Sequence, residues 1–260
     1  MVGYSTCMST KRKIVIANWK MSLTLRESIQ LAKDVSVENA KAKNIDIVVC
    51  PSFTALPSVG PLLPKHIALG AQDVCWEEKG AYTGAIAPRL LHEMGCRYVI
   101  IGHSERRQYF HETDAMVNKK VLATIRAGLI PIICVGENGD ERRNGQKDHI
   151  VMRQVVEAIR GVVLVGAQEL IVAYEPVWVI GSGQAVGSDD AEHMSQVIRH
   201  TIADTIPPAT MEHHCRVLYG GSVDAKNVAD FTKRSVIDGV LVGGASLKSG
   251  SFSGILAAVG

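Results

Sequence analysis

Glu175 stands where an apolar run, Leu170-Ile171-Val172-Ala173-Tyr174, meets Pro176, and the loop beyond it ends in Gly181-Ser182-Gly183. A carboxylate closing a buried strand is partly dry, so burial can tune its hold on a proton. The proline start, apolar middle and glycine-rich end of the loop suit a lid that absorbs dihedral changes at its two ends. A base under a lid fits chemistry whose intermediate must be kept from water. The plainer alternative is a strand-ending Glu that caps a helix beside an ordinary loop.

Other chemically capable residues also follow apolar runs. Lys20 comes after Ile14-Val15-Ile16-Ala17, and a lysine there is costly to bury unless an anion balances it. It reads as an anchor for an anionic substrate, or as a rim lysine reaching back to solvent. Asn18, two residues earlier, faces the same side and can donate to a substrate oxygen. His103 follows Ile100-Ile101-Gly102 and can be acid, base, neutral donor or simply a satisfied polar group. Ser104 and Glu105 resemble the first turn of a helix, whose amide dipoles favour a neutral imidazole. Gly220-Gly221-Ser222 and Gly243-Gly244-Ala245-Ser246 close the last two apolar runs. Either pair alone can be turn chemistry, whereas together their bare amides favour a bound phosphate.

These residues need a frame that brings distant segments to one face. Eight short apolar runs recur: Lys13–Ala17, Ile45–Cys50, Ile67–Ala71, Tyr98–Ile101, Ile130–Val135, Leu170–Tyr174, Arg216–Tyr219 and Gly239–Val242. Between them, Leu23–Val37, Asp114–Arg126, Gln146–Arg160 and Asp189–Ile206 carry apolar residues at three- and four-residue spacing, which predicts helices. Gly128 reads as a helix stop, and Pro207-Pro208 as the end of another helix. Near-continuous apolar strands alternating with helices indicate a parallel sheet covered on both faces. Eight such units predict a single-domain α/β chain, a closed (β/α)8 barrel, with an open doubly wound sheet as the alternative. In a barrel of this kind, Asn18, Lys20, His103, Glu137, Glu175 and the late glycines all fall at the C-terminal strand ends. Packing alone does not explain that clustering.

Composition narrows the function classes. The 260 residues are 47% hydrophobic and 21% charged, as expected of a globular enzyme. A net charge of +2, without a basic stripe interleaved with aromatics, gives no drive toward nucleic acid. No apolar stretch is long enough to span a bilayer, and residues 1–10 lack the apolar core of a secretory signal. Residues 1–10 read as an extension, with Met8 as an alternative start, and 11–260 as the barrel. The six cysteines form no CxxC pair and no metal spacing, so a reducing cytoplasm is expected. No Walker or GxGxxG motif is present.

Taken together, Ala17-Asn18-Trp19-Lys20-Met21, Gly102-His103-Ser104-Glu105-Arg106-Arg107, Ala173-Tyr174-Glu175-Pro176-Val177-Trp178, Tyr219-Gly220-Gly221-Ser222 and Gly243-Gly244-Ala245-Ser246-Leu247 resemble the triosephosphate isomerase family, from about Lys11 onward. The resemblance implies interconversion of dihydroxyacetone phosphate and D-glyceraldehyde 3-phosphate in glycolysis and gluconeogenesis, without metal or organic cofactor. By the same resemblance Glu175 is the base, His103 the neutral electrophile, Lys20 the charge anchor and Asn18 an oxyanion support. Phosphate is expected on Gly181, Ser222, Gly243 and Gly244. Glu105 is expected to partner Lys20, Cys134 to support the site without acting as nucleophile, and Glu137 to meet the lid near Trp178.

The pattern also departs from the family. Ala85 stands where the family commonly has a Glu that pairs across a homodimer with the arginine matching Arg106, so Arg106 needs another acid. Thr83 still matches the residue that reaches toward the neighbouring subunit, and a homodimer is expected. Ser22, Val179 and Gly183-Gln184-Ala185-Val186 replace the common Asn, Ala and Lys-Thr-Ala. A phosphate-binding epimerase or lyase would need a metal cluster or a Schiff-base lysine deep in a strand, and neither is found. A barrel that binds without turnover would be expected to lack Asn18, Lys20, His103 or Glu175.

Overall fold

The computed structural model describes residues 11–39, 44–180 and 185–260. The extension read over residues 1–10, including Met8, lies outside the described residues. Eight strands, β1 (Lys13–Asn18), β2 (Ile45–Cys50), β3 (Ile67–Ala71), β4 (Cys96–Ile101), β5 (Ile130–Val135), β6 (Leu170–Tyr174), β7 (Cys215–Tyr219) and β8 (Gly239–Val242), close in sequence order into a barrel. All neighbouring pairs are parallel, including the closing pair of β1 with β8. This is a single-domain (β/α)8 barrel and not the open sheet.

Strand side chains alternate between two apolar layers because successive residues point to opposite faces. Ile14 and Ile16, Tyr98 and Ile100, Ile130, Ile132 and Cys134, Ile171 and Ala173, Leu218, and Leu241 fill the barrel interior. Val15 and Ala17, Val99 and Ile101, Ile133 and Val135, and Val172 and Tyr174 pack outward against the helices. The inward files of β1, β5, β6, β7 and β8, followed to or past their ends, arrive at Asn18, Gly136, Glu175, Gly220 and Gly243. The same parity that fills the core therefore delivers these residues to the barrel mouth.

Helices run from Leu25–Glu38, Asp114–Arg126, Lys147–Ile159 and Ser188–Ala203, close to the periodic segments. Thr24 and Glu27 form a reciprocal capping box on the first of these. Gly128, at φ 75°, accepts the left-handed turn that ends the second. Pro207-Pro208 differs from expectation. The preceding helix has already ended at Ala203, and Pro208 opens the next helix, Pro208–His214. A proline at a first helical position loses nothing by lacking an N–H, so it starts a helix as readily as it stops one.

Candidate active site

Glu175 is 2% exposed at the end of β6. Its backbone N–H donates to the Val135 carbonyl at 2.7 Å, extending the ladder with β5 by one residue. One carboxylate oxygen accepts the Ser104 backbone N–H at 3.0 Å, and the other lies 3.1 Å from His103 Nε2. The Cys134 thiol also hydrogen-bonds the carboxylate. Burial first, and then Glu175, push this thiol well above its ordinary pKa, so it stays protonated and serves as a donor. Two glycines make room around Glu175. A Cβ on Gly136 would sit 1.7 Å from the Glu175 carbonyl oxygen, and one on Gly220 would sit 3.0 Å from its Cγ.

His103 caps the helix Ser104–Tyr109. Its Nδ1 accepts the Glu105 backbone N–H at 3.2 Å, which requires a lone pair on that nitrogen. In this arrangement the ring is neutral, and its proton lies on Nε2, facing Glu175. Gly102, at φ 69°, makes the turn that brings His103 over the barrel.

Lys20 adopts φ 50°, an uncommon conformation for a residue with a side chain. Three hydrogen bonds hold this turn and the strand end beside it. Asn18 Oδ1 accepts the Lys20 N–H at 3.0 Å, and Gln72 Nε2 donates to the Lys20 and Cys50 carbonyls at 2.7 and 2.9 Å. Strain of this kind persists where surrounding bonds over-determine it, commonly at functional sites. The ammonium lies 2.6 Å from Glu105 and remains partly open to the cavity. A Cβ on Gly243 would come within 3.1 Å of the Lys20 stem.

These groups line a cavity of about 400 Å³, within the usual range for small-molecule sites. Asn18, Lys20, His103 and Glu175 line it together with Ser222, Gly243 and Gly244, the last of which opens the tight turn Gly244–Leu247. Gly181 lies outside the described residues. Among the described residues, no group of three or more His, Cys, Asp or Glu is arranged to hold a metal ion.

The first half of the loop after Glu175 docks on the barrel. The fully buried Glu137 carboxylate accepts Tyr174 Oη at 3.1 Å and Trp178 Nε1 at 3.1 Å, while its carbonyl accepts the Val177 N–H. Burial first, then Glu137, hold the Tyr174 hydroxyl far above its ordinary pKa, so it remains a donor. Arg142 lies over the Trp178 ring at 4.6 Å and pairs with Asp190 at 2.6 Å. Ser222 Oγ donates to the Val179 carbonyl at 3.1 Å.

Arg106 has its acids within its own chain: Asp73 at 2.9 Å and Glu112 at 2.5 Å, with the buried Lys120 bridging both carboxylates. Sequence reasoning missed these partners, together with Gln72, Arg107 and Arg142. Gln72-Asp73 follows β3 directly, so the strand-end rule that singled out His103 and Glu175 would have found them. Arg107 ties the ends of β4 and β5 to the next helix by bonding the carbonyls of Gly102 and Cys134 and the carboxylate of Asp114.

The sequence profile of the family described as Triosephosphate isomerase matches residues 13–259. Among curated relatives, a protein named triosephosphate isomerase from Thermoanaerobacter sp. (strain X514) is 45% identical over 95% of this chain and 99% of its own length. Proteins of the same name from Dictyoglomus thermophilum and Moorella thermoacetica are 43% and 46% identical, each over 95% of this chain and covering 99% and 98% of their own lengths.

Proposed function

Belonging to the triosephosphate isomerase family, this chain interconverts dihydroxyacetone phosphate and D-glyceraldehyde 3-phosphate, and we propose that Glu175 carries the proton between C1 and C2. The observation that supports this reading is the mutual placement of Glu175 and His103. A buried carboxylate faces a neutral imidazole whose only proton points into the same cavity.

With substrate in the cavity, Glu175 leaves the Ser104 amide and takes a proton from C1 of the ketose. The C–H electrons form the C1–C2 double bond, and the carbonyl π electrons move onto O2. The Nε2–H of His103 donates to that oxygen as its charge grows, and the ring passes a proton between O1 and O2. Glu175 then returns its proton to C2, and the aldose forms. Lys20 offsets the enediolate and phosphate charge, and Asn18 supports the oxyanion. A positioned general base contributes about 10²–10⁴-fold, and a preorganised oxyanion donor about 10²–10³-fold. The phosphate rests on the amides of Gly181, Gly243 and Gly244 and on Ser222, which must exchange its bond to Val179. Water would divert the enediolate toward phosphate loss, so the Pro176–Ile180 segment covers it, with Glu137 and Trp178 setting its position.

The active unit in this reading is a cytoplasmic homodimer working in glycolysis and gluconeogenesis. Met21, Tyr82, Tyr109 and Phe110 are exposed apolar side chains in the segments after β1, β3 and β4, and a partner surface would cover them. No described helix is long and apolar enough to cross a membrane. The test is turnover of D-glyceraldehyde 3-phosphate in a coupled assay with chelator present. Fast conversion is expected, and a chain that binds phosphate without turnover would overturn the reading.

A further inference from the structure

The ladder between β5 and β6 ends at the pairing of Val135 with Tyr174 and the bond from the Glu175 N–H to the Val135 carbonyl. One residue further, Gly136 has left the sheet, and its N–H and C=O have no strand to pair with. A carboxamide takes the place of that strand. Gln154, buried on the helix Lys147–Ile159, accepts the Gly136 N–H on Oε1 at 2.7 Å and donates Nε2–H to the Gly136 carbonyl at 3.2 Å. The two bonds fix the orientation of the amide, because the flipped form would set donor against donor and acceptor against acceptor.

Gly136 is the contact between two working carboxylates. It lies so close to the Glu175 carbonyl that no side chain fits, and the next residue is Glu137, which holds Tyr174, Trp178 and the Val177 amide. We propose that Gln154 is a positioning residue for the isomerisation: by clamping the Gly136 peptide it sets the backbone of the base Glu175 and the footing of the lid together. A carboxamide supplies both bonds at once because it carries an acceptor and a donor side by side. Asn is too short to reach from the helix, while Leu or Met fills the space and pairs with neither group. Displacements on the order of 1 Å, made far from the reacting atoms, can cost about 10²-fold in rate.

The proposal rests on Glu175 being the base, and a double-mutant cycle separates the two ideas. Wild type, Gln154→Leu, Glu175→Gln and the double variant are compared for kcat, KM, inhibition by inorganic phosphate and melting temperature. Gln154→Leu is expected to lower kcat about 10- to 100-fold, with KM and phosphate inhibition within about twofold of wild type. In the Glu175→Gln background the same change should cost little, because the base it positions is gone. Gln154→Glu keeps at least the bond from the Gly136 N–H and should retain more kcat than Gln154→Leu. If Gln154→Leu does not fold, Gln154→Glu enters the cycle in its place. Unchanged kcat in the folded variant, or an equal fold-loss in both backgrounds, would overturn the positioning role. Wild-type turnover in Glu175→Gln would instead overturn the reading of the base.

Discussion

Glu175 sits almost fully buried, and among the described residues no Lys or Arg pairs with it. Its oxygens take neutral donors from Ser104, His103 and Cys134, and those can be exchanged for substrate more easily than an ion pair can be broken. The Lys20 ammonium is held apart on Glu105. Lys20→Ala is therefore expected to weaken a phosphate-ester inhibitor by at least about tenfold, on the order of 1.4 kcal/mol. A titration of the inhibitor against both proteins checks this, and equal affinities would remove the anchor role. At this scale the sequence was readable where chemistry and strand ends coincide, as for Asn18, Lys20, His103 and Glu175. It was unreadable where a partner comes from a distant element and has no distinctive neighbours. Gln154 in the middle of an amphipathic helix looks like any polar face residue until Gly136 is placed beside it.

Strands were legible because both their faces are buried, which leaves uninterrupted apolar runs, and five of the eight ranges agree to the residue. Helices were legible mostly where length allowed periodicity to accumulate, the short Ser104–Tyr109 being read from its first turn instead. Pro88–Glu93 and Val228–Thr232 are too short, and Ser249–Val259 begins Ser-Gly-Ser-Phe-Ser-Gly, with poor intrinsic propensity. Packing of Phe252, Ile255 and Leu256 holds that last helix in place of propensity. The helix Ser188–Ala203 is tied through Asp190 to Arg142 and Lys147 on the helices between β5 and β6. Burial opposes ionisation there, but Lys147 and Arg142 outweigh it and hold the carboxyl below its ordinary pKa. Such a group stabilises the fold fully above its unfolded value of about 3.9, and the contribution fades as pH falls through the lower folded value. Asp190→Asn is expected to melt earlier than wild type at neutral pH, with the gap closing below about pH 4. Melting curves at stepped pH decide it, and a gap independent of pH would show that the ion pairs contribute nothing.

Across the whole molecule, the barrel collects residues from five strand ends around one cavity while its interior stays packed with apolar side chains. Arg106 illustrates how global context resolves a local departure. The acid missing at Ala85 is offset within the chain by Asp73 and Glu112, with Lys120 between them, so this charge needs no partner subunit. In the proposed dimer the exposed apolar residues would carry assembly, and sedimentation at micromolar concentration is expected to give a dimer. A monomer there would place the whole site on a single chain. The central claim concerns turnover itself and its dependence on one carboxylate. Conversion of D-glyceraldehyde 3-phosphate by wild type and Glu175→Gln, with phosphate inhibition measured in parallel, tests it most directly. The account predicts a fall of at least about 10³-fold in kcat with phosphate binding preserved. Near-normal turnover in the variant would contradict it.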